Sequence, residues 1–210
     1  MKGMSRMKGR EGFSSHSSLV TPDSRLPTPD SATHIALLRG INLGGKNAVP
    51  MADLRGWVEA AGGEAVRTYV QSGNVLFDAS LADAPRIAAA ITMQIKERLG
   101  HSVPVVLLTA VEFHQIARSN PYLAEGALEN ELHVLLLSAV PEPERVAKLD
   151  PDRSPPDRFT VAGRAVYHHA PNGVARSKLT NAYVDRALGV TSTARNWRTV
   201  GNLLALSGEE

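Results

Sequence analysis

VRTYVQSGNVLFD (66–78) decides the fold. Residues 66–71 alternate in character, NVLFD (74–78) is a second apolar run, and Ser72-Gly73 between them fits a tight hairpin turn. An antiparallel pair at this place sets the frame for its neighbours on both sides. Upstream, HIALLR (34–39) reads as a buried strand. MADLRGWVEAAG (51–62) reads as a helix, with Pro50 as its first residue and Leu54, Trp57, Val58 and Ala61 on one face. Downstream, Asp83 caps a second helix with Pro85 in its first turn, and this helix ends at Leu99 before Gly100. VPVVLL (103–108) is then a further strand. The order is β-α-β-β-α-β.

After a helix near 110–118 and a polar loop, the order returns. ELHVLLLS (131–138) is a strand and PEPERVAKL (141–149) a short helix. RFTVA (158–162) and AVYHH (165–169) form a hairpin around Gly163. SKLTNAYVDRAL (177–188) is a helix starting at Ser177, VTSTAR (190–195) an edge strand, and NWRTVGNLLAL a closing helix. The fold class expected is α+β: two tandem ferredoxin-like units over 32–122 and 123–210, with a C-terminal helix. Right-handed crossovers then put the third strand of each unit between the first and second. RGINLGGKN and QSGN become neighbours in the first half. HAPNGVARSK and ARNW share an end in the second.

The 43% hydrophobic and 21% charged content suits a globular protein, and no apolar run approaches the roughly 18 residues that span a bilayer. Without cysteine there are no disulfides, thiolate metal sites or thiol nucleophiles, which suits a cytoplasmic setting. Lys2, Arg6, Lys8, Arg10 and Arg25 against Glu11, Asp23 and Asp30 account for the whole net charge of +2. The remaining chain is neutral, so the basic balance is no argument for a DNA-binding face. Residues 1–31, rich in Ser, Gly and Pro and without an apolar segment, read as a disordered leader or as a start assigned too early.

ALLRGINLGGKN, TYVQSGNVLF, PNGVARSKL and TARNWRTV together resemble one bacterial group, the domain-of-unknown-function family 1697. The resemblance covers about residues 33 to 206. It implies a cytoplasmic bacterial protein of two similar α/β halves and supplies no activity or cofactor. Asp78 and the leader are outside its pattern.

Gly40 to Lys46 spells G-x-x-x-x-G-K, but Asn47 stands where a P-loop has Ser or Thr, and Pro50 starts the helix too late for its amides to meet a phosphate. What remains is a loop with donors on Arg39, Asn42, Lys46 and Asn47 and glycines able to form an anion nest; a turn with solvated polar groups explains the same residues. Gln71, Ser72 and Asn74 add donors from the hairpin, or satisfy the turn itself, with Gly73 there for its positive φ. Residues 164–198 hold Arg164, Arg176, Lys178, Arg186, Arg195 and Arg198 against Asp185 alone. Arg176 and Lys178 at a helix N-terminus favour an anion, while Ser177 also serves there as an N-cap. Trp197 is a core or interdomain anchor rather than a stacking ring. His168 and His169 point to opposite faces of a strand and cannot chelate one ion; a structural or exposed histidine is the favoured reading of both, and one of them would be an acid or base only if it faced the PNG loop.

The expectation is a protein that binds a small phosphate- or carboxylate-bearing ligand through Arg39, Asn42, Lys46, Gln71, Asn74, Arg176, Lys178, Arg195 and Arg198. No motif requires a metal or cofactor, and catalysis is undetermined. Sequence-tolerant nucleic-acid binding through the same cations is the weaker alternative, since only Phe77, Phe159 and Tyr167 stand on the central strands. A non-catalytic interaction module is the third.

Overall fold

The computed structural model describes residues 31–42, 44 and 47–208; residues 1–30 of the leader and Lys46 lie outside them, and Ser31 already belongs to the first strand. The chain forms a mixed α+β structure with two four-stranded antiparallel sheets. In the first, β1 (Ser31–Leu38) lies between β3 (Asn74–Ser80) and β4 (Val105–Thr109), and β2 (Glu64–Tyr69) pairs with the far side of β3. The order is β2-β3-β1-β4. A strand paired on both edges has its backbone groups satisfied and is free to be apolar on both faces, and Ile35 to Leu38 are all buried.

Both faces are covered. Ala36, Leu38, Val75 and Phe77 pack under α1 (Met51–Ala60) and α2 (Ala84–Leu99), which contribute Leu54, Val58, Ile87, Ile91 and Ile95. The four-residue spacing of the three isoleucines keeps them on one stripe of the helix. Asp83 stands at the N-cap of α2, but its carboxylate accepts from the Ser80 hydroxyl and Arg86 rather than from the helix amides.

The second sheet has the same arrangement, with order β6-β7-β5-β8 from β5 (Leu132–Leu137), β6 (Arg158–Ala162), β7 (Ala165–His169) and β8 (Ser192–Asn196). Its outer face, Leu135, Leu137 and Val166, is covered by α6 (Asn181–Leu188) through Val184 and Leu188, with Val146 of α5 (Pro143–Val146) packed alongside. The inner faces of the two sheets share one core. Ile35, Leu37, Leu76 and Leu108 join Val134, Leu136 and Tyr167, and the gap is filled from α3 (Ala110–Arg118) by Phe113, from α4 (Pro121–Ala124) by Tyr122 and from α7 (Trp197–Ser207) by Trp197, Val200 and Leu203. Trp197 is thus the anchor between halves that its position suggested.

One helix start differs from expectation. Val174–Arg176 form a 3-10 turn and α6 begins at Asn181, four residues after Ser177. Thr180 is its N-cap, accepting from the Tyr183 amide at 3.2 Å, while the Ser177 hydroxyl accepts from the Leu179 amide. Arg176 and Lys178 therefore stand on the loop before the helix and not on its first turn. Among the described residues no helix is long and apolar enough to cross a membrane.

Candidate functional site

Because β3 lies between β1 and β2, the loop after β1 and the β2–β3 hairpin meet. The Leu38 amide donates to the Gly73 carbonyl at 2.8 Å. Asn42 then closes its own loop. Its Nδ2 donates to the carbonyls of Val49 and Gln71 at 3.1 and 2.7 Å, and its Oδ1 accepts from the Val49 amide at 2.8 Å. Asn47 donates to the Gly40 carbonyl at 2.9 Å. Gly73 has φ +73, and a Cβ on it would come within 2.7 Å of Leu38 Cβ, so glycine is required twice over.

The second half enters this junction. Arg195, 7% exposed, donates from Nε to Asn74 Oδ1 at 2.6 Å and from Nη2 to the Leu38 carbonyl at 2.9 Å, while Nη1 serves Thr193 Oγ1 and the Ala194 carbonyl, both at 2.8 Å. Asn74, fully buried, spends its Nδ2 on the Tyr69 carbonyl and Ser72 Oγ. Arg39 pairs with Asp185 of α6 and donates to the Ser192 carbonyl at 3.1 Å. Asp185 Oδ1 in turn accepts from the amide and hydroxyl of Ser192. Of the candidate residues, Arg39, Asn42, Gln71, Asn74 and Arg195 thus come together: Asn42 and Gln71 bond within the first-half loops, and the hydrogen bonds of Arg39, Asn74 and Arg195 fasten one half to the other. Gln71 keeps an exposed side chain.

Arg176, Lys178 and Arg198 stand apart from this junction in their bonding: all three are exposed and, among the described residues, form no ion pair. The register Leu132↔His169 and His133↔Asn196 puts the loop after β7 and the end of β8 at one end of the sheet, as the strand order requires. At that end lies a cavity of about 180 Å³. Its floor is His133, Leu135, His168 and Ala194 of the three strands, and its roof is Val174, Ser177, Leu179, Thr180 and Asn181. Arg176 and Lys178 flank Ser177 on the loop that forms the roof.

His168 faces this cavity and is 2% exposed. Its Nε2 lies 3.1 Å from Asp157 Oδ2, whose side chain is 8% exposed. Burial pushes His168 below the ordinary histidine value and outweighs the opposing pull of Asp157. Burial pushes Asp157 the other way, but hydrogen bonds from Ser177, His168 and Ser154 prevail and hold its carboxyl below the usual range. His133, whose ring centre is 6.2 Å from that of His168, is lowered by burial and by its neighbour's charge. The Glu131 carbonyl opposes this, yet it accepts from the Ala170 amide and His133 Nδ1 makes no hydrogen bond. His169, on the opposite face, pairs with Glu131 at 3.0 Å. Among the described residues no cluster of three or more His, Asp or Glu is placed to hold a metal ion.

Of the aromatic residues considered for stacking, Phe77 and Tyr167 are buried in the two cores, and the Tyr167 hydroxyl donates to the Ile116 carbonyl. Among the residues that escaped the sequence reading are the cavity residues His133 and Thr180 and the His168 partner Asp157. His133 had a usable signal, since the strand order sets it opposite His168. Thr180 was eclipsed by Ser177 as a cap, and Asp157 carries no local mark.

Residues 32–167 match the family described as Protein of unknown function (DUF1697). The chain belongs to that family. Within this DUF1697 protein the matched span covers the first half and continues to Tyr167, stopping before the loop that roofs the cavity. Its structure is similar to that of conserved bacterial protein SP0830 from Streptococcus pneumoniae, with a TM-score of 0.65 over 85% of this chain and 99% of that one. At 20% identity this likeness speaks for the fold alone. No curated protein matches the DUF1697 chain.

Proposed function

We propose that the protein binds a small phosphate- or carboxylate-bearing molecule in the cavity between β5, β7, β8 and the start of α6. The observation that carries this is the composition of that cavity: the Thr180 hydroxyl, the first turn of α6, the buried His168 and the half-buried His133 line it, and Arg176 and Lys178 stand on the loop beside it. Helix amides and hydroxyls favour an anion, and the two cations draw it in. At about 180 Å³ the space is well below the roughly 300–1,000 Å³ of pockets for drug-sized ligands, which selects an inorganic anion or a short acid over a nucleotide.

On this reading Arg39, Asn42, Asn74 and Arg195 serve assembly, Arg176 and Lys178 serve the ligand, and Gln71 and Arg198 belong to the outer surface of the same protein. The identical order of the two sheets is read as duplication of a ferredoxin-like unit in a cytoplasmic bacterial protein. Whether chemistry follows binding rests on the ligand.

Thermal unfolding with inorganic phosphate tests the proposal. A ligand at 100 times its dissociation constant stabilises the folded state by about 2.7 kcal/mol, a rise of roughly 5–10 °C for a chain of this size. The rise should shrink in Arg176→Ala and Lys178→Ala and survive in Arg198→Ala. No rise with phosphate, or an undiminished rise in the first two variants, overturns it. Stabilisation by oligonucleotides instead, lost steeply with added salt, would point to nucleic acid.

A further inference from the structure

We infer that anion binding in this cavity is coupled to the uptake of one proton by His168. The inference rests on the anion reading above and adds the protonation state in which the site works. A carboxylate only accepts hydrogen bonds, and neutral imidazole carries one proton. With Asp157 Oδ2 at 3.1 Å from Nε2, the proton of neutral His168 belongs on Nε2. Nδ1 then holds an unshared pair, and among the described residues it has no hydrogen-bond partner. His168 is part of the cavity floor; with Nε2 turned to Asp157, Nδ1 is on this proposal the ring atom that an arriving anion approaches, where a lone pair repels it. Protonation of Nδ1 turns that repulsion into a charge-assisted hydrogen bond, with the imidazolium held between Asp157 on one side and the ligand on the other.

The surrounding groups suit the change. In the free protein burial keeps His168 neutral near neutral pH, so a proton is there to be gained. Asp157, held ionised by Ser177 and Ser154, stands ready to stabilise the imidazolium. From β5 the nearby titratable group is His133, itself lowered by burial. Along β7 the neighbour is His169, which opposes charging of His168 but is turned toward Glu131 on the other face. β8 and α6 bring only Ala194, Thr180 and Asn181 to the cavity, and the roof loop adds Arg176 and Lys178 at its exposed edge. The ligand's negative charge is the one new element that raises the His168 pKa, so bound protein holds more protons than free protein. By linkage, affinity then falls as pH rises between the free and bound pKa values of His168, by up to about tenfold per pH unit.

Calorimetric titration of the full chain with sulfate tests this, because sulfate keeps its charge across the neutral range. Two buffers of equal pH and different ionisation heats should give apparent binding heats that differ by the equivalent of up to one proton taken up per sulfate. His168→Asn, which keeps a neutral donor near the Nδ1 position, should bind sulfate more weakly and without buffer dependence. Sulfate binding with equal heats in both buffers overturns the proton coupling and leaves the anion site standing. Persistent uptake in His168→Asn assigns the proton elsewhere and likewise overturns it. Failure of sulfate to bind at all removes both the site and its coupling.

Discussion

Arg195 brings a positive charge into the interior where every acceptor it meets is neutral: carbonyls, one amide oxygen and one hydroxyl. Burial pushes its pKa down only to about 10, so it stays charged at neutral pH. Taking a charge out of water costs several kcal/mol, and hydrogen bonds from a charged group return about 1.5–3 kcal/mol each. Six contacts at 2.6–3.3 Å therefore offset the cost, and four of them join β8 to the end of β1, the β2–β3 turn and the start of β3. Removing the guanidinium strands the Asn74 oxygen without its partner and leaves the Leu38 carbonyl only the Thr193 hydroxyl at 3.5 Å. Arg195→Ala should lose about 3–5 kcal/mol, read from the urea midpoint, and Arg195→Lys should recover only part, since a point-like ammonium cannot reproduce the planar fork. An unchanged midpoint in Arg195→Ala would deny the junction its role. From sequence this residue looked like a ligand cation, because charge and motif say nothing about a partner 121 positions away.

At the scale of elements, much of the architecture was legible. Period-two and helical patterns, the Ser72-Gly73 turn and the handedness of crossovers were enough for the order of strands and the meeting of the two first-half loops. What failed was the start of α6, where Ser177 and Thr180 are both competent caps three residues apart and only the packing of buried Leu179 between them decides. The use of the loop donors was also hidden, since a free donor and one satisfied across an interface have the same sequence. α3 shows how one element serves both roles. Glu112 completes a capping box with Thr109 and pairs at 3.0 Å with Arg164, which also reaches the Leu107 and Leu137 carbonyls on strands of different sheets. Burial raises the Glu112 pKa, but the Thr109 amide and Arg164 outweigh it, so the carboxyl is more acidic folded than unfolded. Its stabilisation is complete above the unfolded value and fades as pH falls through the lower folded one. Glu112→Gln keeps a capping-box partner and removes the charge. It should cost about 0.5–1 kcal/mol at neutral pH and nothing once pH is below the folded pKa, measured by urea unfolding across the acid range. A cost that persisted in acid would mean the charge is not what matters.

The whole molecule is tied together by the core that neither half owns. Ile35, Leu37, Leu76, Val106 and Leu108 line one side and Val134, Leu136 and Tyr167 the other, with Trp197 and Leu203 of α7 between them. Each apolar side chain of this size is worth about 1.5–3 kcal/mol on burial, so exposing the five from the first sheet alone costs on the order of 10 kcal/mol. That matches the whole stability of an ordinary domain, about 5–15 kcal/mol. The outer cores under α1 and α2 and under α6 cannot carry the halves through such a loss. Unfolding of the full chain should therefore be one cooperative transition, with tryptophan fluorescence, which reports Trp57 outside and Trp197 at the junction, and far-ultraviolet circular dichroism giving coincident curves. A chain ending at Tyr122 should lack sharp thermal unfolding and should bind dyes that report exposed apolar surface. Two resolved transitions in the full chain, or a cooperatively folded first half on its own, would show that each four-stranded sheet is its own unit of stability and that the shared core is a late embrace of two finished domains.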